Sequence, residues 1–456
     1  MLTQKDAYKL LHDGAIALTK MEQQGLRIDV GYLHKTKKNL TRKVKYLENK
    51  IKDSEFYKDW QKSSKGAVNI YSGKQLGTFL YKVKEYDPPK TTPSGAGSTD
   101  EESLKALNIK EVNWLLKIRK IKKIRDTYLK AFEREQVNGV IHPFFHLHLA
   151  RTFRSSSDKP NWQNIPKRDK EAMKIIRNAI FPRKGYQLLE LDYGQLEVRI
   201  AACYHKDPTM LEYIESGKDM HADVAEQIFM LKKYDGNNEL HEHLRSATKN
   251  GFVFPQFYGD YFKNNAHDLC KKWVDLPTGR WKPGMGHGGD LSDHMIKNGI
   301  KSFNGFERHL KGIEDDFWGN RFPVYNKWKE TWWKRYQKKG YFNSLTGFHY
   351  KGLYSRNDAI NYPVQGSAFH VLLLSIIEGI KAQINEKWKT KIVSETHDSI
   401  LFDVYPPELD SVINIMNCIM VNDVRQIWPW IITPLEIDAE LCPVDAPWSK
   451  KEKYKF

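Results

Sequence analysis

Apolar positions recur at helical spacing from Asp6 to Met21, and that run closes on Gln24-Gly25. Leu26 to Val30 predicts a short extended piece. Tyr32 to Asp53 predicts a long helix whose polar positions are mostly basic: Lys35, Lys37, Lys38, Arg42, Lys43, Lys45 and Lys50. A polar loop follows (KTTPSGAGSTDEESL), where Pro93, Gly95 and Gly97 mark irregular backbone and Ser98 to Glu101 a helix start. A second basic helix is expected from about Asn113 to Arg134, with KIRKIKKIR placing six positive charges in nine residues. One such helix is usually a solvated face; two separated by a flexible loop suggest a module that grips phosphates.

From Gln187 the pattern changes. LLELD is a buried-strand run ended by Asp192 and Tyr193, and a helix is expected from Gln195. Residues 241–259 (HEHLRSATKNGFVFPQFYG) predict a helical stretch, whereas 261–345, rich in Trp, Gly and charge, show no clean period. Asn357 to about Lys387 predicts a long, mostly apolar helix. KIVSETHDSILFDVY then predicts two short strands around a tight turn at His397-Asp398. No repeat or low-complexity tract interrupts the order.

Composition narrows the class. A chain of 456 residues with 40% hydrophobic and 12% aromatic residues can bury a large core, which excludes a disordered or collagen-like protein. Its length suggests roughly three domains or subdomains. The longest strongly apolar run, Val371 to Ile377, is far shorter than the ~20 residues that span a bilayer. No secretory signal opens the chain, so a cytoplasmic protein without a membrane partner is expected. Lys plus Arg number 73 against 56 Asp plus Glu, a formal charge of +17. That surplus favours polyanions, nucleic acid first and an anionic membrane surface second. Cys203, Cys270, Cys418 and Cys442 form no C-x-x-C pair, and the pairs His146/His148 and His241/His243 are more often surface histidines than ligands. No all-protein transition-metal site is expected.

Asp192 and Asp398 carry the candidate chemistry. Each sits where an apolar strand stops, a place that holds a carboxylate rigidly at a cleft. Two such groups converging can hold two Mg²⁺ ions for displacement at phosphorus, because Mg²⁺ needs few carboxylates plus water and phosphate oxygens. Between them, Arg245 and Lys249 are four apart, as are Phe254 and Tyr258, so one helix offers cations for phosphates and rings for a base and sugar. Read singly, each aspartate is equally a turn residue, and the helix equally an amphipathic one with snorkelling cations.

The whole set resembles the polymerase region of family A DNA polymerases, over nearly the full length. MEQQGLRIDVGYL is similar to the segment that opens that region, and NIYSGKQLG with STDEESL to the thumb. RTFRSSSDKPNWQNIPKR resembles the family's run of Arg, serines and Gln-Asn-Ile-Pro. LDYGQLEVR resembles motif A, RSATKNGFVFPQFYG motif B, SETHDSILF motif C, and AINYPVQGSA the helix after the fingers. The resemblance implies an α+β right-hand fold with an antiparallel palm sheet, a helical thumb and helical fingers. Its parts would be an N-terminal palm segment (1–30), thumb (31–137), palm with motif A (138–205), fingers with motif B (206–350) and palm with motif C (351–456).

It also implies roles. Asp192, Asp398 and the backbone carbonyl of Tyr193 would bind two Mg²⁺. Arg245 and Lys249 would hold the incoming triphosphate, with Lys249 protonating the leaving pyrophosphate. Glu197, supported by Gln195, would crowd the sugar 2′ position and favour dNTPs. Phe254 would face the nucleotide, Tyr258 would stack near the nascent pair, and Gly259 would let the template pass. Arg154, Asn361 and Gln365 would contact primer–template DNA, and His397 would approach the primer terminus. The basic thumb, including Lys120, Lys122 and Lys123, would close on duplex phosphates.

Three departures from the family pattern stand out. Lys249 and Phe254 are five apart where four is usual, which turns them about 140° apart on a regular helix; a bulge near Gly251 or Pro255 could restore the face, and Phe252 is the rival ring. Gly194 and Ser399 replace a frequent Ser and Glu, and Asn357 stands where a basic residue is usual. Only about twenty residues precede the match, far short of a domain of ~100 residues. A polymerase without its own proofreading domain is therefore expected, working alone or with a separately encoded 3′–5′ exonuclease or other replisome proteins. With the His-Asp-Ser turn this leans toward a bacteriophage source. The rivals are a single-subunit RNA polymerase, opposed by Glu197 and QNIP, and a catalytically silent DNA-binding relative, opposed by Asp192, Lys249 and Asp398.

Overall fold

The computed structural model describes residues 2–64, 66–167 and 169–456. Its strands, in chain order, are β1 (Leu26–Ile28), β2 (Val140–Ile141), β3 (Phe144–His146), β4 (Ser156–Asp158), β5 (Ile180–Phe181) and β6 (Gln187–Tyr193). They continue with β7 (Tyr341–Asn343), β8 (His349–Lys351), β9 (Lys391–Thr396), β10 (Ser399–Val404), β11 (Ile437–Leu441) and β12 (Glu452–Tyr454). The central sheet is antiparallel in the order β12-β11-β6-β10-β9. A smaller sheet, β2-β1-β5, and the pairs β3-β4 and β7-β8 lie outside it. This helix-rich α+β architecture is the class that the sequence predicts.

Local chemistry explains the elements near the cleft. Leu188, Leu189 and Leu191 make β6 an apolar run buried on both faces, which forces it to the middle of the sheet. Behind it lies the helix Arg356–Asn385, opened by a capping box of Ser355 and Asp358 and buried from Val371 to Ile377. Among the described residues it is the one helix long and apolar enough to cross a membrane, but it packs on the helix Gln4–Gln24 and on β9 and β10.

Two apolar cores follow. One runs from the first helix through the central sheet and the helices Val30–Lys52 and Lys110–Lys122, whose stripes Leu33, Leu40, Val44, Leu47 and Val112, Leu115, Ile118, Ile121 face each other. Lys110–Lys122 continues through a π-helical turn, Lys123–Leu129, into the helix Lys130–Glu135, and this run is antiparallel to Val30–Lys52: Lys37 pairs with Glu133 near one end and Lys50 covers Trp114 at the other. The second core spans Val198 to Tyr325 and combines aliphatic and Met side chains with a group of Phe rings, including Phe252, Phe306, Phe317 and Phe322. The helix Pro323–Lys339 joins the two, with Tyr325 in the second core and Tyr336 in the first. The last turns of the segment expected to be fingers therefore pack with the long helix Arg356–Asn385 and with β7, in the first core.

The unreadable stretch has a physical reason. Its first helices are short, and π-helical turns at Leu269–Trp273 and Phe317–Arg321 interrupt the run. Each such turn inserts a residue into the 3.6 period and shifts the apolar face.

Candidate active site

Asp192 sits at the penultimate position of β6, and Ser399, the first residue of β10, is its cross-strand partner. Asp398 immediately precedes Ser399 in the turn from β9, where His397 takes φ +64°. The turn is tied to β6 because the Tyr193 N–H donates to the Asp398 carbonyl at 3.0 Å. The Tyr193 phenol anchors the same strand end, donating to the Met420 carbonyl and meeting Ser375 Oγ, each at 2.8 Å. Both carboxylates thus stand at neighbouring strand ends on rigid backbone.

Their surroundings ask for a cation. Asp192 Oδ1 is buried without a hydrogen-bond partner. Burial, then the charge of Asp398, pushes the Asp192 carboxyl up to about 7. An orphaned carboxylate oxygen beside a like charge is the situation that a divalent ion relieves, and the donor set of two carboxylates and a backbone carbonyl suits Mg²⁺. Among the described residues no cluster of three or more His, Cys, Asp or Glu forms a metal cage.

A cavity of about 530 Å³ opens beside the turn. Arg154, Gln195, Glu197, Phe254, Tyr258, Asn361, Gln365, His397 and Asp398 all line it. Across it, Glu197 accepts hydrogen bonds from Arg154 Nη1 at 3.1 Å and from the Tyr258 hydroxyl. Burial and the Glu197 charge raise the Tyr258 phenol well above its ordinary range. Asn361 Nδ2 donates to the Tyr258 carbonyl at 3.2 Å. Gly259 takes φ +89°, and a Cβ there would lie 2.2 Å from Asn357 Oδ1, so only glycine fits.

The extra residue in motif B is absorbed by a π-helical turn at Lys249–Val253. It brings Lys249 Nζ 5.3 Å from the Phe254 ring centroid, on one face. Phe252 points the other way, fully buried against Phe317. Lys249 is half-buried, and burial, then the nearby Arg245 charge, lowers its proton affinity.

Arg245 lies off the main cavity. It borders an adjoining cavity of about 320 Å³ that shares Gln195, and it is ion-paired with Asp219. Asp219 also caps the helix Met220–Phe229 through the N–H groups of His221 and Ala222. His221 lies edge-on to Phe254 at 5.6 Å, and its Nδ1 is buried without a partner. Burial, then Lys249, lowers the His221 ring to about 4, so the ring is neutral at pH 7.

The thumb lysines differ most from the expectation. Lys120 is already matched by Asp169 and Glu171, each at 2.9 Å, and Lys122 lies 3.6 Å over the Tyr71 ring. Lys120 is thus already engaged by carboxylates in this arrangement, whereas Lys122 has a ring but no acid beside it; Lys123 is exposed. Arg168, which ends the RTFRSSSDKPNWQNIPKR segment, lies outside the described residues.

Sequence reasoning missed Asp219 and His221, whose signal was an Asp cap two residues before a His ahead of an apolar helix. It also missed two buried acids. Glu395 accepts from Ser155 Oγ, from Gln163 Nε2 at 2.7 Å and from the His397 N–H at 3.1 Å, stitching QNIP to motif C. Glu190 accepts from Ser399 Oγ at 3.1 Å, Trp448 Nε1 at 3.0 Å and Lys451 Nζ at 2.7 Å. An acid inside an apolar strand run was the available signal for Glu190; Glu395, between Ser394 and Thr396, offered none.

The family model for DNA polymerase family A matches residues 30–270, a little over half of the chain. The chain is 29% identical over 405 residues to DNA polymerase I of Aquifex aeolicus, covering 88% of this chain and 60% of that one. It is 28% identical over 430 residues to DNA polymerase I of Lactococcus lactis subsp. lactis, covering 93% and 44%. For DNA polymerase I of Bacillus subtilis the figures are 25% over 402 residues, 87% and 41%. The chain therefore spans less than two thirds of the length of these relatives. Among solved structures, the POL domain of Pol1 from M. smegmatis, in complex with DNA primer-template and dNTP, superposes with a TM-score of 0.75 at 22% identity, covering 96% of this chain and 70% of that one.

Proposed function

The chain belongs to DNA polymerase family A, and on that premise we propose that it extends the 3′-hydroxyl of a primer along a DNA template, consuming dNTPs and releasing pyrophosphate. The observation that carries the proposal is the convergence of Asp192 and Asp398 at adjacent strand ends. Asp192 Oδ1 is unpartnered there, and the cavity beside it holds Glu197, Phe254 and Tyr258.

In the reaction the primer 3′ oxygen attacks the α-phosphorus of the dNTP. A new P–O bond forms, the bond from the α-phosphorus to the bridging oxygen breaks, and the hydroxyl proton passes to solvent. When bound by Asp192, Asp398 and the Tyr193 carbonyl, two Mg²⁺ ions would supply charge at the attacking and leaving oxygens. Lys249 meets the triphosphate and gives a proton to the departing pyrophosphate; its lowered proton affinity eases that transfer. Arg245 reaches the same phosphates by leaving Asp219, and neutral His221 adds a hydrogen bond from between Lys249 and Phe254. Phe254 packs against the base and sugar. Glu197, held by Arg154 and Tyr258, fills the space where a 2′-hydroxyl would sit, which favours deoxynucleotides. Asn361, Gln365 and Arg154 face the new pair, His397 faces the primer terminus, and Gly259 leaves room for the template.

The expectation of a bacteriophage source, with its host-cytoplasm location, rests on the short stretch before the polymerase match together with the His-Asp-Ser turn; the relatives named above are bacterial. Primer extension, run with dNTPs and then with NTPs, tests the reading. Extension with dNTPs and little with NTPs is expected. Extension that prefers NTPs would establish the RNA polymerase alternative, and no extension with either would leave a DNA-binding protein.

A further inference from the structure

We propose that the solvent face of the helix Pro323–Lys339, with the Tyr341 and His349 rings at its end, is a track for the single-stranded template ahead of the insertion site. This rests on the polymerase reading and concerns a segment to which that reading gives no role.

The helix has two unlike faces. Tyr325, Lys329 and Tyr336 are buried, while Lys327, Lys334, Arg335, Lys338 and Lys339 are exposed. At 100° per residue, Lys327, Lys334 and Lys338 fall within about 40° of one another and span about 16 Å, with Arg335 about a quarter-turn and Lys339 about a third of a turn round the helix. Among the described residues none of these five cations meets a carboxylate, because the one acid on the helix, Glu330, is taken by Arg356. An unmatched line of cations repels itself, and a polyanion relieves it.

Position and chemistry select the strand. Arg356 starts the helix whose next residue, Asn357, reaches the Gly259 carbonyl, so the stripe begins at the rim of the main cavity. At its far end Gly340 stops the helix and Tyr341 follows, 37% exposed, its ring 4.8 Å from His349 and beneath Lys339. Cations followed by exposed rings suit unpaired bases, which offer faces for stacking that a duplex hides. The connection after β8 is held still, since the Tyr336 hydroxyl donates to the Gly352 carbonyl and accepts from the Tyr354 N–H.

The test is equilibrium binding, by fluorescence anisotropy, to primer–templates whose 5′ template overhang is one or about ten nucleotides long, across a salt series. The parent protein should bind the long overhang more tightly and with a steeper salt slope. Lys327→Gln/Lys334→Gln/Lys338→Gln should erase most of that gain, lowering the long-overhang slope by about 2 at roughly 0.7 per single-strand phosphate contact. Binding and single-nucleotide addition on the short overhang should not change. Tyr341→Ala should reduce the overhang gain without altering the salt slope. A parent with no overhang gain, or a triple variant that keeps it, overturns the track while leaving the polymerase reading intact. Failure to extend the short overhang would instead sink that reading.

Discussion

Replacing Ser399 by Glu restores the residue frequent at that place in motif C, and here it should damage the protein. Ser399 Oγ donates to Glu190 Oε1, and Glu190 is almost fully buried, with its other oxygen satisfied by Trp448 and Lys451. A second carboxylate would enter the space of the first. At about 4 Å and an effective dielectric near 20, two such charges repel by roughly 4 kcal/mol. The new acid can escape by taking a proton, which from a reference value near 4.3 costs about 3.7 kcal/mol at pH 7. Either route gives a loss of about 3 to 4 kcal/mol. Its sign with pH follows, because a carboxyl raised in the folded state destabilises above its unfolded value. The loss should therefore shrink to about 1 kcal/mol at pH 5. Urea unfolding of parent, Ser399→Glu, Glu190→Ser and the double variant measures it. The double variant again holds one carboxylate between the strands, so it should recover at least about 2 kcal/mol over Ser399→Glu. A stable Ser399→Glu, or a double variant no better than it, refutes the account.

Four further outcomes are expected. Asp192→Ala or Asp398→Ala should abolish nucleotide addition while leaving primer–template affinity nearly unchanged, since phosphate contacts dominate binding; a filter-binding and extension pair checks this. Glu197→Ala should raise ribonucleotide incorporation relative to deoxynucleotide, and unchanged discrimination would remove its sugar-sensing role. Phe254→Tyr should improve dideoxynucleotide use, whereas Phe252→Tyr, set in the core against Phe317, should instead cost stability by burying an unpaired hydroxyl. Lys329 is buried over Trp318, and burial brings its ammonium down to about 7. Between that value and its unfolded 10.5 the unfolded chain holds a proton that the native one lacks, so stability rises with pH there. Lys329→Met should accordingly stabilise by about 2 kcal/mol at pH 7, less than the full shift implies because the ring contact is lost, and the gain should vanish toward pH 10.

Elements with an unbroken period were legible to within a few residues: the first helix, the first basic helix, β6, the motif C hairpin and the long core helix all stand where their spacing put them, and the second basic helix stands there too although a π-helical turn at Lys123–Leu129 interrupts it. Where the period carries an insertion, sequence alone could count the extra residue but not locate it. Motif B is the clear case. Five residues from Lys249 to Phe254 allow either Phe252 or Phe254 to face the cavity, and the choice falls on Phe254 because the π-helical turn absorbs the surplus before the ring rather than after it. Charge was legible in amount and not in pairing. KIRKIKKIR looks like a set of free cations, yet Lys120 finds Asp169 and Glu171 about fifty residues on, a match that only tertiary packing creates. The same limit hid Glu190 and Ser399. Each looks anomalous in its own strand, an acid in an apolar run and a serine at a place where the family frequently has an acid. The antiparallel register of β6 and β10 sets them near each other and turns two anomalies into one satisfied pair. A departure from a family motif is therefore better judged against the residue it touches than against the residue it replaces.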